Sequence, residues 1–379
     1  MAKRIILAVA GAGKTYHICH MIDPKKKNLI LAFTHENIHN IVNELIHAHK
    51  CVPELTTVMT FDAFVYRFLV CPYEPTIGRH FGHEEFVSKG ITTRDPPPKN
   101  IKGKNGGTYA NPAYKGKESL EHYINKSGQY YCATLSELVM TVKKDLRRLI
   151  KCAAEGINSF FDQVLIDEFQ DFREHDFDLI VGLAKNIKDI VLVGDYYQHS
   201  VSGTNNTGKP FKCRKDDVSY HEFVQNMKNA GFVVDEKELK KSRRCSPDIC
   251  NFTKEKLGID IESEGINQGT VHWVEEDSIE HILMESSIVK LTFQDAGKYA
   301  FTSINWGYSK GDTFDSACVI LTENFEKMDS ESFTTVGISN STINKLYVAM
   351  TRTKGDLFLV KASLFKKYRT NYKLNVLNN

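Results

Sequence analysis

Apolar positions along the chain fall into short runs of strand length, and stretches with helical periodicity separate these runs. Strands are predicted at Ile5–Ala10, Leu29–Thr34, Thr57–Phe61, Val164–Asp167, Ile190–Gly194, Val271–Val274, Tyr299–Ile304, Cys318–Leu321 and Leu357–Val360. Helices are predicted at Glu36–His49, Leu135–Ala153 and Ile343–Thr351. In the second of these helices an apolar face is formed by Leu138, Val142, Leu146, Leu149 and Ile150. This alternation predicts an α/β fold built on parallel sheets.

Two regions interrupt the alternation. Residues 71–117 are rich in Pro, Gly and Lys, and we interpret them as part of an insertion, about residues 71–135, with a helical part and a basic loop. The lysines of this loop fit either contact with a phosphate backbone or a solvated surface. The second region is the Gly/Asn/Lys loop 202–216. We expect two domains, residues 1–235 and residues 236–379.

The composition is that of a soluble globular protein and not of a disordered one. Of the 379 residues, 41% are hydrophobic and 25% are charged, and the net charge is +2. Any basic surface for a polyanionic partner therefore has to be local. The nine cysteines form no CxxC pair and follow no secretory leader, so we expect reduced thiols in the cytoplasm and no membrane contact. Cys71, His80 and His83 lack a fourth ligand, so we expect no structural metal.

A glycine-rich loop, Ala8 to Thr15, joins the first predicted strand to a helix. Glycines let the backbone approach an anion, and the N–H groups at a helix N-terminus attract its charge. In such a loop Lys14 reaches the β and γ phosphates of a nucleotide, and the Thr15 hydroxyl binds Mg²⁺. The usual first glycine of the GxxxxGKT pattern is Ala8 here. The residues predicted to bind ATP are Ala10, Gly11, Ala12, Gly13, Lys14 and Thr15.

A second chemical signal is a pair of carboxylates, Asp167 and Glu168, at the end of the apolar run Val164–Ile166. Asp167 can bind Mg²⁺, and Glu168 can polarise a water for attack on the γ-phosphate. Acidic residues also end strands as turn or capping groups, so the pair alone leaves both interpretations open.

The acidic pair extends to Asp167-Glu168-Phe169-Gln170-Asp171, and at this point the chain resembles the UvrD/Rep family of superfamily 1 helicases. Other segments resemble that family's motifs in the family's order: Leu31–His35, Met59–Phe64, Val193–Gln198, Leu239–Ile249, Lys310–Phe314 and Tyr347–Arg352. With the phosphate loop, these segments span residues 8–352, which is nearly the whole chain. The ordered set is far more specific than any one of its members.

The resemblance implies two RecA-like P-loop NTPase lobes with a nucleotide cleft between them, and ATP and Mg²⁺ as cofactors. It implies that Gln198 senses the γ-phosphate and that Arg244 and Arg352 are arginine fingers. The catalytic set is then Lys14, Asp167, Glu168, Gln198, Arg244 and Arg352. The resemblance also places Arg243 and Gly311 at the nucleotide.

The same resemblance implies that the protein binds and moves along single-stranded nucleic acid. Contacts to single-stranded nucleic acid are implied for Phe33, Thr34, His35, Thr60, Phe61 and Phe64. The implied function is an ATP-dependent translocase or helicase on single-stranded DNA with 3′ to 5′ polarity. DNA is favoured over RNA as the partner, and a protein partner is compatible with the pattern.

Three departures from the family keep two other functions open. Where the family has a tyrosine and a tryptophan that stack on DNA, the chain has Val201 and Gly203, so stacking or a core role is open for Phe33, Phe64, Tyr196, Tyr197 and Trp306. The segment Lys310–Phe314 is closer to the QGxTF form of viral superfamily 1 RNA helicases, which raises RNA as the substrate. The family's large accessory domain is missing between Arg244 and Lys310. This absence and the lost aromatic pair favour a nucleic-acid-sensing ATPase switch that works with a partner enzyme.

Overall fold

The structure is a computed structural model of the chain. It describes residues 2–103, 105–173, 175–199, 209–213 and 216–374, with the side chains of residues 2 and 143–149 left out. Several predicted features lie outside the described residues: Val201, Gly203, most of the loop 202–216, and the side chains of Leu146 and Leu149.

Most of the nineteen strands in the described residues belong to two larger sheets. They are β1 (Ala2–Ala8), β2 (Asn28–Ala32), β3 (Thr56–Thr60), β4 (Ile91–Thr92), β5 (Asn100–Lys102), β6 (Thr108–Ala110), β7 (Tyr130–Tyr131), β8 (Gln163–Asp167), β9 (Asp189–Gly194), β10 (Lys212–Cys213), β11 (Asp216–Asp217), β12 (Val233–Leu239), β13 (Lys241–Ser242), β14 (Glu262–Ser263), β15 (Val271–Trp273), β16 (Ile288–Thr292), β17 (Ser303–Asn305), β18 (Ser316–Ile320) and β19 (Leu357–Val360).

Helices alternate with these strands along most of the chain. They are α1 (Lys14–Met21), α2 (His35–His49), α3 (Phe61–Val65), α4 (Glu74–His80), α5 (Leu135–Thr141), α6 (Lys143–Phe160), α7 (Asp176–Ala184), α8 (Tyr220–Asn229), α9 (Pro247–Leu257), α10 (Ile279–Met284), α11 (Asn340–Met350) and α12 (Ala362–Tyr368). Side-chain oxygens cap the first turns of five of them, with Thr34, Thr60, Ser219, Ser246 and Ser339 as the capping residues. Over the residues described, no helix is long and apolar enough to cross a membrane.

The first sheet has six strands in the order β12-β1-β9-β8-β2-β3. Strand β2 pairs in parallel with β3 and with β8, and β8 pairs in parallel with β9. Every residue of β2 is buried. Parallel strands covered on both faces are continuous apolar runs, which explains why β2, β8 and β9 were predictable. Their carboxyl ends meet at one edge of the sheet, and Asp167 is the last residue of β8.

The second sheet has five parallel strands in the order β15-β19-β18-β16-β17. Its largest buried side chains include Trp306 and Tyr347, each 0% exposed. The indole N–H of Trp306 donates to the Leu291 carbonyl at 3.0 Å, so the buried ring satisfies its one polar group. With two sheets of parallel pairs and helices between their strands, the predicted α/β class of RecA-like lobes is confirmed.

The chain forms two compact units. One unit comprises residues 1–5, 15–193 and 206–234, and the other comprises residues 6–14, 194–205 and 235–379. The phosphate loop up to Lys14 and the segment that holds Gln198 therefore belong to the second unit. The predicted domain boundary at residue 235 stays a proposal.

Two predicted elements differ clearly from the structure. The predicted helix Leu135–Ala153 is two helices, α5 and α6, because Val142 has ψ near 0° and leaves helical geometry. Tyr299–Ile304 was predicted as a strand, but β17 begins only at Ser303. Tyr299 and Phe301 instead stack on each other in the core at 5.2 Å between ring centroids.

Two strands of the larger sheets were not predicted, because charged residues interrupt their apolar pattern. Strand β12 has the sequence VVDEKEL and lies at the edge of the first sheet, where charged side chains reach water and discourage pairing with other chains. Strand β16 contains Lys290, which is 2% exposed and donates its ammonium proton to the Glu285 carbonyl. A lysine can be buried in a strand when its ammonium has a hydrogen-bond acceptor, although a charged residue at such a position argues against a buried strand in the sequence.

The predicted insertion contains α4, the short strands β4 to β7 and the start of α5. A half-buried carboxylate, Glu137 on α5, links the insertion to the rest of the first unit. Glu137 pairs with Lys117, with His122 at 3.1 Å and with His175 at 3.4 Å. Burial alone would raise the pKa of Glu137, but these three partners outweigh it and lower the pKa to about 2. His175, which follows the acidic segment Asp167–Asp171 in the sequence, is therefore linked to the insertion through Glu137.

Candidate functional site

The phosphate loop follows β1 and opens α1 at Lys14, as predicted from the sequence. Gly11 and Gly13 have φ of 73° and 78°, in the left-handed region that side chains with a Cβ disfavour. A Cβ on Gly11 would also lie 2.6 Å from the Cβ of Arg244. The Gly11 carbonyl accepts a hydrogen bond from the backbone N–H of Arg243 at 2.9 Å. Glycine is thus required at position 11 by both conformation and space.

A tyrosine hydroxyl connects the phosphate loop to a buried carboxylate. The backbone N–H of Ala10 donates to the Tyr347 hydroxyl at 2.7 Å, and that hydroxyl donates to Asp195 Oδ2 at 3.1 Å. Gln198 Nε2 donates to the same oxygen at 2.8 Å, and the backbone N–H of Tyr197 donates to Oδ1 at 3.0 Å. The predicted γ-phosphate sensor, Gln198, is therefore held by Asp195.

Sequence reasoning missed Asp195 and Tyr347 as site residues, although both lie inside segments that resemble family motifs. Asp195 is 0% exposed, and this burial raises its pKa to about 6 against the opposing charge of Lys14 and the donors around it. Burial also raises the pKa of Tyr347 well above its usual value. Tyr347 therefore keeps its proton and donates to Asp195 throughout the physiological range.

The two predicted arginine fingers lie in the second unit. Arg244 Nη1 donates to the Thr351 carbonyl at 3.1 Å, and Arg352 Nε donates to the Val348 carbonyl at 2.9 Å. Arg352 is 2% exposed, and its Nη2 is buried without a hydrogen-bond partner among the residues that the structure describes. Burial, and next the charge of Arg244, lower the pKa of Arg352 to about 10. Two guanidinium groups with a buried donor to spare fit an anion with several oxygens, such as a phosphoryl group.

The two predicted magnesium ligands lie together in the first unit. The Thr15 hydroxyl donates to Asp167 Oδ2 at 2.9 Å, and Asp167 is 1% exposed. The other oxygen of Asp167 accepts the backbone N–H of Glu168 at 2.9 Å. Glu168 has φ of 56°, a left-handed conformation that costs a non-glycine residue energy and often marks functional sites. Its carboxylate accepts a hydrogen bond from the Gln170 amide. A hydroxyl beside a buried carboxylate is a donor set that suits Mg²⁺.

The residues predicted to contact nucleic acid divide into two groups. Thr34 and Thr60 cap the helices α2 and α3, and Thr34 and His35 are exposed. Phe33 and Thr60 are half-buried. Phe61 and Phe64 are 1% and 0% exposed, so these two rings are core side chains and are not available for stacking on a base.

Burial also decides between stacking and a core role for three of the five aromatic residues for which the sequence left both roles open. Phe64, Tyr196 and Trp306 are at most 4% exposed and belong to the core, while Phe33 and Tyr197 are half-buried. The other residues predicted at the nucleotide are both exposed: Arg243 and Gly311, the latter with φ of 97°.

Residues 83–200 match the family model of the UvrD/REP helicase N-terminal domain. This part of the chain is thus similar to the N-terminal domain of UvrD/REP helicases. The matched residues include the acidic segment at Asp167 and the segment at Gln198, and the phosphate loop lies before them. Less than a third of the chain carries the family match. No curated protein matches the chain.

Several solved viral helicase structures are similar to the chain. An arterivirus nonstructural protein 10 helicase is 13% identical, with a TM-score of 0.46, over 96% of this chain and 61% of that one. The PRRSV helicase is 15% identical, with a TM-score of 0.44, over 99% of this chain and 55% of that one. A complex of the arterivirus helicase with DNA is 12% identical, with a TM-score of 0.46, over 96% and 62%. The chain thus spans between 55% and 62% of the length of these relatives.

Proposed function

We propose that the chain is an ATP hydrolase that uses ATP and Mg²⁺ to move along single-stranded nucleic acid. The observation that carries the assignment of a nucleotide is Nη2 of Arg352, which is buried and has no hydrogen-bond partner among the described residues, in the unit that also holds Arg244 and the phosphate loop up to Lys14. A buried cationic donor without an acceptor is costly unless a ligand supplies the acceptor. A γ-phosphate has the charge and the oxygens to do so.

We assign the residues of the site to the following roles in hydrolysis. Backbone N–H groups of Ala10 to Gly13 and the Lys14 ammonium would hold the phosphates, with Arg243 and Gly311 as further nucleotide contacts. Thr15 and Asp167 would bind Mg²⁺, which neutralises charge on the β and γ phosphates. Glu168 would orient a water and accept its proton, and Gln198 would contact the γ-phosphate. Arg244 and Arg352 would stabilise the charge that develops on the transferred phosphoryl group.

For the track we propose single-stranded DNA with 3′ to 5′ movement, as the UvrD/REP resemblance implies. Phe33, Thr34, His35 and Thr60 remain the proposed contacts in the first unit, because the side chains of Thr34 and His35 are exposed and those of Phe33 and Thr60 are only half-buried. RNA remains the alternative substrate, from the Lys310–Phe314 segment. We also propose two lobes that meet in sequence near residue 235, and a cytoplasmic location from the nine cysteines.

One observation favours a second function, an ATPase switch that senses nucleic acid for a partner enzyme. Three of the five aromatic residues considered for stacking lie in the core. Stacking on an aromatic ring contributes roughly 1–3 kcal/mol per base, so a chain with few accessible rings holds a strand less firmly than a processive motor does. Failure of the isolated chain to unwind a tailed duplex, together with strand-stimulated hydrolysis, would favour the switch over the motor.

The proposed function is tested by steady-state ATP hydrolysis of the purified chain, alone and with single-stranded DNA or single-stranded RNA. We expect hydrolysis that requires Mg²⁺ and that one of the two strands stimulates strongly. The strand that stimulates identifies the track. Hydrolysis that neither strand changes would contradict a nucleic-acid motor, and no hydrolysis under any condition would contradict the enzyme itself.

We expect turnover to fall as the pH drops below about 6, because Asp195 then takes up a proton. The pKa of Asp195 is raised, so the group is ionised at neutral pH and becomes neutral at a higher pH than an exposed aspartate does. Protonation removes the negative charge of the carboxylate whose Oδ2 accepts hydrogen bonds from both Gln198 and Tyr347, and so weakens both bonds. The measurement is kcat at saturating ATP from about pH 5 to about pH 8.5.

The Asp195→Asn variant is the control for this pH profile. Its turnover is expected to be low and to lack the inflection near pH 6, since the titrating group is gone. An unchanged inflection in Asp195→Asn would assign the pH dependence to another residue.

A further inference from the structure

Arg173 lies two residues beyond the acidic segment Asp167–Asp171, and its guanidinium forms a two-pronged ion pair with Asp62. Nη1 donates to Asp62 Oδ1 at 2.8 Å, and Nη2 donates to Asp62 Oδ2 at 2.9 Å. Nη1 also donates to the Cys132 carbonyl at 2.6 Å. A planar guanidinium and a carboxylate that meet through two parallel hydrogen bonds fix each other's orientation as well as their separation.

Arg173 is held at its backbone as well as at its side chain. Its backbone N–H donates to Asp176 Oδ2 at 2.8 Å. The side chains of Arg173 and Asp62 are 27% and 15% exposed, so solvent screens the ion pair only in part. Burial alone would lower the pKa of Arg173, but the hydrogen bonds and charge of Asp62 outweigh it and raise the pKa. The ion pair is therefore a fixed connection between two segments that are distant in sequence.

Aromatic contacts make a second connection between the same two segments. Phe172, the residue before Arg173, packs on Phe61 with ring centroids 5.8 Å apart and on Phe33 at 5.5 Å. Phe33 stacks on Phe61 at 5.3 Å. Phe61 is the neighbour of Asp62 in α3, and Phe33 precedes the exposed Thr34. Both segments proposed to contact the strand thus pack against the residues that follow the acidic segment.

Two backbone hydrogen bonds close the short turn that connects Glu168 to Phe172, the residue before Arg173. The backbone N–H of Asp171 donates to the Glu168 carbonyl at 2.9 Å, and the N–H of Phe172 donates to the Phe169 carbonyl at 3.1 Å. A turn closed in this way has little freedom between its ends. A displacement of Arg173 therefore shifts Glu168, whose left-handed backbone is already strained.

We propose that the Arg173–Asp62 ion pair couples strand binding at Thr60, the N-cap of α3, to the placement of Glu168, so that Arg173 is a positioning residue for ATP hydrolysis. This inference rests on the proposed function. A strand that moves α3 would pull on Asp62, and the rigid pair carries that movement to the turn that holds the general base. Arg173 itself touches neither the nucleotide nor the strand in this role.

The test compares Arg173→Lys and Asp62→Asn with the unaltered chain. Lysine keeps the charge but cannot form the two-pronged pair, and asparagine keeps the shape of Asp62 without its charge. We expect unstimulated ATP hydrolysis and strand affinity to stay within about threefold, while maximal stimulation at saturating strand falls about tenfold, within the range of coupling between sites. The double variant is expected to lose no more than either single variant, because all three break the same pair.

Asp217→Asn is the matched control, since it removes the charge of another carboxylate of the same unit that pairs with a cation, Lys212, at 3.7 Å. It should leave stimulation unchanged. Full stimulation in both test variants would overturn the coupling role. A loss confined to strand affinity would make Asp62 a direct contact, and an equal loss of stimulated and unstimulated hydrolysis would make the pair merely structural. If no strand stimulates the unaltered chain, the proposed function fails first and the coupling with it.

Discussion

Glu168→Gln is expected to remove ATP hydrolysis while nucleotide binding persists. Glutamine has almost the shape of glutamate, but it cannot accept the proton of the attacking water. General bases contribute roughly 10²–10⁴-fold to a rate, so the loss should reach that range. The left-handed backbone of Glu168 and its hydrogen bond from the Gln170 amide hold the side chain in one place, and both are compatible with glutamine. The measurement pairs phosphate release at saturating ATP with the affinity for a fluorescent ATP analogue.

Two further variants make this result specific. Lys14→Ala should lose both hydrolysis and tight nucleotide binding, because it removes the ammonium that we propose holds the phosphates. Glu155→Gln makes the same chemical change on an exposed residue of α6 and should leave both quantities unchanged. Hydrolysis at the normal rate in Glu168→Gln would assign the base to another residue.

Arg352→Ala is the second substitution with a large expected effect, a fall in turnover of roughly 10³–10⁵-fold if Arg352 acts as an arginine finger. Arg352 is 2% exposed, and its Nη2 has no hydrogen-bond acceptor in the part of the chain that the structure describes, so it can donate to a phosphoryl oxygen. Single-turnover ATP hydrolysis at saturating nucleotide measures the effect on the chemical step.

Since alanine at a buried position also removes packing, Arg352→Lys serves as the companion variant. Lysine fills much of the same volume and keeps the charge, but it lacks the planar pair of donors, so we again expect a large loss of turnover. Arg244→Ala should fall into the same range. Arg369→Ala changes an exposed arginine of the second unit and should have no effect. Normal turnover in both Arg352→Lys and Arg244→Ala would contradict a role for these arginines in catalysis.

Strands were predicted correctly from the sequence where a continuous run of apolar residues forms the strand. The strands β2, β8, β9 and β19 are continuous apolar runs, and the structure has each of them within two residues of the predicted bounds. The phosphate loop was also predictable from neighbouring residues. Its two positions with positive φ favour glycine, and the glycines stand directly before a helix. Strands β12 and β16 were missed because their charged residues are tolerated only by an edge position and by a carbonyl acceptor for Lys290.

The sequence by itself therefore determined the α/β class, the phosphate loop, the acidic pair and the order of the helicase motifs, since each depends on neighbouring residues. Only the tertiary structure decided what depends on residues far apart in the chain. It moved Phe61, Phe64 and Trp306 from candidate contacts into the core, because burial is a property of the packed chain. It also brought Tyr347 to Asp195, and Arg173 to Asp62. Such hydrogen bonds need distances and directions between distant residues, and these arise only when the chain folds.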